Sequence, residues 1–205
     1  VGQNKESIEY INRALKIDQF NAKAYFMKGM NYKDLKDTAR AISSMRTAVE
    51  QDKNQFHANM QLGILFAAQK NPLALQYYKN AIQLVPNSTE AWYAMGKFYQ
   101  DMEDWDNAIN TYNALAVADS KNKSARYNSG VIYLLKLEKY PLALEQFTQA
   151  IGVDSAYVEA YYGRGITYKT IGNSKQAIAD FEHCLRIDAG YEPAKTELKQ
   201  LNKLK

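Results

Sequence analysis

The stretch AWYAMGKFYQ, Ala91–Gln100, reads as a helix with a glycine, Gly96, at its centre. Apolar and aromatic residues recur in it at spacings of three and four, the period of one helix face. Glycine in a helix interior nevertheless costs roughly 0.5–1 kcal/mol against alanine. A residue that weakens its own helix is explained by what packs against it. The same glycine returns at Gly29, Gly63, Gly130 and Gly165, so the five stand 34, 33, 34 and 35 residues apart. A fixed period of this length marks a repeat array.

The residues around each glycine repeat with it. An aromatic follows three places later, at Tyr32, Phe66, Tyr99, Tyr133 and Tyr168, and Tyr25, Trp92 and Tyr161 stand four places before, with Asn59 and Arg126 as exceptions. Downstream come an alanine, a large residue four further on and, in most repeats, a small one: Ala41, Met45, Ala48; Ala74, Tyr78, Ala81; Ala108, Tyr112, Leu115; Ala143, Phe147, Ala150; Ala177, Phe181, Cys184. Each unit is therefore two helices joined by a turn such as MEDWD, LEKYP or IGNS. Helices this short cannot bury their apolar faces alone and must stack on copies of themselves. The glycine makes the first helix shallow, so that the second can approach closely.

Trp92, Met95, Gly96 and Tyr99, followed by Ala108 and Tyr112, resemble the tetratricopeptide repeat pattern at the same offsets, five times in register over nearly the whole chain. The resemblance implies an all-α fold, a right-handed superhelical solenoid of stacked antiparallel helix pairs spanning 1–205. The frame sets full repeats at 22–55, 56–88, 89–122, 123–157 and 158–191. Residues 1–21 then supply only the second helix of an incomplete repeat, and 192–205 a capping helix. Pro86 stands at the family's terminal proline place, where the other repeats have Lys53, Ser120, Ser155 and Ala189. In the cap, Ala194, Leu198 and Leu201 lie on one stripe, with Lys195, Lys199, Lys203 and Lys205 off it.

Composition bounds the rest. With 205 residues, 46% of them hydrophobic, the chain can bury a core, and 26 Lys and Arg against 22 Asp and Glu is nearly balanced. No apolar run approaches the roughly 18 residues of a bilayer span. A lone cysteine offers no intramolecular disulfide framework. These residues leave the compartment open between the cytoplasm and, if the full-length chain carries an upstream signal sequence, a bacterial envelope.

In the resembled family the first helices line a concave surface that grips a peptide or a partner helix. The second, fifth, ninth and twelfth places of each repeat should form this inner stripe. At the fifth place stand Phe26, Met60, Tyr93, Tyr127 and Tyr162, and at the ninth Met30, Ile64, Lys97, Val131 and Ile166. A surface so lined is apolar with a charged margin and is expected to bind an extended peptide or amphipathic helix carrying large apolar side chains. A second reading makes Tyr93, Tyr127 and Tyr162 half-buried spacers between repeats. The clamp with which some members hold chaperone tails does not carry over, because Tyr93, Glu159 and Gly163 occupy its cationic places around Asn128.

No residue pattern points to catalysis, a metal or a cofactor. His57 and His183 lie in different repeats with no second ligand at helical spacing, the first read as a margin residue and the second as a surface one. Cys184 occupies a small-residue packing place and reads as an inert core thiol. Gly163 and Gly165 flank Arg164 within a helix and form no nucleotide fingerprint. Asp101, Glu103, Asp104 and Asp106 crowd the start of a helix, where they favour its N-terminus. On the stripe Glu90 and Glu159 offset Lys23, Lys33, Lys97 and Lys169, which argues against nucleic acid as partner. The function read from these residues is a non-catalytic protein-interaction scaffold. The alternatives are self-assembly, a homo-oligomer formed through a helix face of Ile8, Ile11 and Leu15, or the targeting arm of a larger enzyme.

Overall fold

The computed structural model describes residues 2–202, which hold twelve helices and no strand. Lys203 and Lys205 of the cap lie outside the described residues. Between Met102 and Glu103 the chain divides into two compact units, where the repeat frame runs on as a single array. The first holds α1 (Gly2–Ile17), α2 (Ala22–Asp34), α3 (Thr38–Gln51), α4 (Phe56–Ala68), α5 (Leu73–Leu84) and α6 (Thr89–Asp101). The second holds α7 (Trp105–Ala118), α8 (Lys123–Leu135), α9 (Tyr140–Val153), α10 (Val158–Thr170), α11 (Ser174–Ile187) and α12 (Glu192–Asn202). Within each unit every helix packs on the next in sequence.

Short polar side chains set the helix starts. Asn21 accepts a hydrogen bond from the Ala24 N–H at 2.9 Å, and Asp37 one from the Arg40 N–H at 3.0 Å. Asp104, one of the crowded carboxylates, accepts from the Asn107 N–H at 3.3 Å. Each pairs an otherwise orphaned donor of the first turn. Between the helices of a pair the chain turns through one left-handed residue: Lys36, Lys70, Glu103 and Glu138 at φ of 60, 52, 60 and 51°, and Gly172 at 80°.

The recurrent glycines are places of close approach. A methyl group on Gly29 would stand 2.6 Å from Met45 Cγ, one on Gly63 2.5 Å from Tyr78 Cε1, one on Gly130 2.8 Å and one on Gly165 2.7 Å from Cε1 of Phe147 and Phe181. These large side chains are buried, so the helix cost at the glycine is offset by the packing it permits. Gly96 is likewise buried in α6. Phe147 also meets Gly163 of the following repeat, where a methyl group would stand 2.7 Å from its ring. Gly163 is thus a packing residue as well.

Two expectations are corrected. Ile8 and Ile11 of α1 are buried, because α2 packs over them, so the face they share with Leu15 is not open to a neighbour. His183 is half-buried rather than a surface residue: its ring stacks on Tyr161 with centroids 4.0 Å apart, and its Nδ1 lies 2.8 Å from an Arg186 nitrogen.

Candidate functional site

In the first unit the stripe combines packed and open positions. Phe26 and Met30 on α2 are half-buried, while Ile64 on α4 and Tyr93 on α6 are 36% and 42% exposed. Met60 departs from its expected place. At 1% exposure it belongs to the core cluster that holds Met45, Leu62 and Tyr78, and it leaves the candidate surface. An unbranched, flexible methionine can fold into a core gap where a rigid ring at the same register cannot. The margin is polar. The His57 ring lies 6.4 Å from that of Phe26 and meets Phe56 edge-on at 5.3 Å. Lys33 Nζ donates to Gln61 Oε1 at 2.5 Å, and Lys97 pairs with Asp101 one turn along its own helix.

In the second unit Tyr127, Val131, Tyr162 and Ile166 are all half-buried, and Leu134 at the twelfth place is buried. The two tyrosines are held from both sides. Tyr127 lies 5.8 Å from the Phe147 ring and 5.4 Å from Tyr157; Tyr162 lies 5.8 Å from Phe181 and 5.7 Å from Tyr191 in an edge contact. Burial pushes both phenols above their ordinary range, helped at Tyr127 by the Glu159 carboxylate. Burial chiefly, and Glu159 next, take Tyr191 to about 12.

Tyr157 and Tyr191 are residues the repeat pattern did not single out. Both stand one place before a first helix, where Asn21, Ser88 and Asn122 cap with a side-chain oxygen. Tyr157 makes no side-chain cap bond; its ring turns back onto the preceding repeat. The signal was in the sequence: two tyrosines in a register that elsewhere carries a capping residue or a glutamine.

Three cation–carboxylate pairs cross between elements of this unit. Lys123 pairs with Asp154, Lys169 with Glu197 at 2.5 Å, and Arg164 with Asp180 at 2.7 Å. Lys123 Nζ also lies 4.5 Å from the Tyr157 ring centroid. Cys184 is fully buried and its thiol is pushed up to about 12, chiefly by burial. Among the described residues no group of three or more His, Cys, Asp or Glu could hold a metal ion, and no helix is long and apolar enough to cross a membrane.

With this geometry in view, comparison with known proteins gives the family. The sequence model of the ChAPs (Chs5p-Arf1p-binding proteins) matches residues 13–153, and that of the tetratricopeptide repeat matches 158–191. Among curated proteins the chain is similar to anaphase-promoting complex subunit 3 of Schizosaccharomyces pombe, 23% identical over 91% of this chain and 28% of that protein. It is also similar to the general transcriptional corepressor ssn6 of the same species, 26% identical over 76% of this chain and 11% of that protein. Human serine/threonine-protein phosphatase 5 is 27% identical over 52% of this chain and 21% of its own length. The chain thus spans under a third of each of these relatives. Among solved structures, MamA is 22% identical with a TM-score of 0.70, covering 83% of this chain and 95% of that one. YrrB, described as a TPR protein with an unusual peptide-binding site, is 18% identical with a TM-score of 0.71, covering 94% and 99%. At these identities the structures establish the shared fold. The first family model spans more than half of the residues, and so the chain belongs to the ChAPs family and, through its repeats, to the tetratricopeptide repeat proteins.

Proposed function

We propose that the chain is a non-catalytic scaffold that takes an extended peptide or an amphipathic helix on the stripe of its first helices. In the first unit the partner's apolar side chains meet Phe26, Met30, Ile64 and Tyr93, with Lys97 at the margin. In the second unit, taken by itself, half-buried Tyr127, Val131, Tyr162 and Ile166 form the corresponding face. The observation that carries this reading is the exposure of Ile64 and Tyr93 on a helix face where a merely solvated helix would place polar groups. Aromatic and branched side chains in such a position are typical anchors of a partner. The relatives agree in kind, since one is by name a subunit of a larger complex. The match to a phosphatase favours a variant in which the array is the targeting arm of an enzyme whose catalytic part lies outside these residues.

The test is selection of peptides from a random library on the whole chain, followed by titration of the best binder. Affinity is expected near the micromolar range, about −8 kcal/mol. It should fall at least about tenfold, roughly 1.4 kcal/mol, in Ile64→Lys, with the melting temperature unchanged. Retention of full affinity by that variant contradicts the reading.

A second reading rests on α1. Tyr10 and Ile17 are 59% and 91% exposed and, with exposed Ala14 between them, share one helix face that no helix of the first unit covers. Self-association through this face predicts a concentration-dependent mass in analytical ultracentrifugation that Ile17→Glu abolishes.

A further inference from the structure

The second unit contains one filled example of a simple recognition chemistry and a second set of the same kinds of groups. In the filled example the Asp154 carboxylate and the Tyr157 ring hold the Lys123 ammonium, paired with the first and 4.5 Å from the centroid of the second. An ammonium on a tyrosine face beside a carboxylate gains from ring quadrupole and charge together. One helix on, Glu159 and Tyr162 lie three residues apart on the same face of α10, and Tyr191 meets Tyr162 edge-on at 5.7 Å. Tyr127 stands on the neighbouring α8, which packs against α10. Glu159 is exposed and, among the described residues, makes no hydrogen bond or ion pair, whereas Lys123, Arg164 and Lys169 of this unit are all paired. Burial chiefly raises the phenol pKa values of Tyr127 and Tyr191, and the Glu159 carboxylate adds to both.

We infer that Glu159, with Tyr127, Tyr162 and Tyr191 around it, forms a subsite for a cationic side chain, the guanidinium or ammonium of an arginine or lysine in the bound peptide. The inference deepens the proposed peptide-binding role and rests on it for the partner's nature. An acidic partner is disfavoured here, since it would bring like charge to an unpaired carboxylate beside rings whose faces repel anions.

The experiment is an NMR titration of the whole chain with N-acetyl-arginine amide, and in parallel with N-acetyl-citrulline amide, which has the same shape and no charge. Arginine amide should shift the ring and amide signals of Tyr127, Glu159, Tyr162 and Tyr191, and citrulline amide should not. Glu159→Gln should weaken the effect about fivefold or more, and Glu159→Asp should retain most of it. Equal shifts from both probes, no shifts from either, or an unchanged response in Glu159→Gln would overturn the subsite. The broader reading fails separately. A library-selected peptide that binds wild type and Glu159→Gln alike, but not Ile64→Lys, leaves the scaffold standing and removes this subsite. If no peptide binds at all, the scaffold reading itself falls.

Discussion

The Phe147 ring fills the space left by a glycine of the next repeat: a methyl group on Gly163 would stand 2.7 Å from its Cε1. The same ring atoms also meet Gly130, where a methyl group would stand 2.8 Å from Cε1, and the ring is fully buried, so it has little room to withdraw. Overpacking of about 1–3 kcal/mol at Gly163→Ala should outweigh the roughly 0.5–1 kcal/mol that alanine returns as a helix former. Gly152, in α9, has nothing within 4 Å of a would-be Cβ. Gly152→Ala should therefore stabilise by about 0.5 kcal/mol. Thermal or urea unfolding of the two variants checks the opposite signs. The same sign for both would contradict the packing account.

The turns between paired helices predict a second pair of opposite effects. Glu138 holds φ of 51° and Gly172 φ of 80° at equivalent places. A side chain in the left-handed region costs roughly 1–2 kcal/mol. Gly172→Ala should lose about 1 kcal/mol, while Glu138→Gly should gain a few tenths to about 1 kcal/mol after the extra chain entropy of glycine is counted. Urea midpoints at constant m-value measure both.

Arg164 binds Asp180 through two hydrogen bonds, 2.9 and 2.7 Å long, and reaches Thr148 Oγ1 at 3.2 Å. Asp180 is buried. Asp180→Asn leaves a half-buried guanidinium without its counter-charge and should cost about 1–3 kcal/mol, below the figure for a fully buried pair because water still reaches Arg164. A double-mutant cycle with Arg164→Met reads the coupling. A value near zero would show the pair to be incidental.

Acids whose partial or full burial holds them protonated in the fold predict the alkaline limb of stability. Cys184 is raised from 9.0 to about 12, and Tyr78 and Tyr191 from 10.0 to about 12, in each case chiefly by burial. Above pH 9 to 10 the unfolded chain releases these protons while the folded chain holds them. Their contribution is therefore complete below pH 9 and is lost as pH rises toward 12. Melting temperature should fall through this window. The native Cys184 thiol should resist a disulfide reagent at pH 8 and react once the chain is unfolded.

Much of the fold was legible because a repeat states each packing rule several times. Gly29 with Met45, Gly63 with Tyr78, Gly130 with Phe147 and Gly165 with Phe181 all meet as their shared spacing implied. The candidate surface was less legible, because one register place has several fates. Met60 and Tyr93 occupy the same place, yet one is in the core and the other 42% exposed. What separates them is side-chain flexibility and the neighbours available, which periodicity does not encode. Tyr157 and Tyr191 escaped notice because they sit between the helices that carry the pattern. The face of α1 was misread because the sequence does not say which side α2 covers.

The most direct measurement is photo-crosslinking of a library-selected peptide to the whole chain carrying p-benzoylphenylalanine at position 64 or, as control, at position 73. Ile64 lies on a first helix of the first unit and Leu73 on a second, and both are exposed. The account predicts a peptide adduct from position 64 and none from position 73. An adduct from position 73 alone would contradict it.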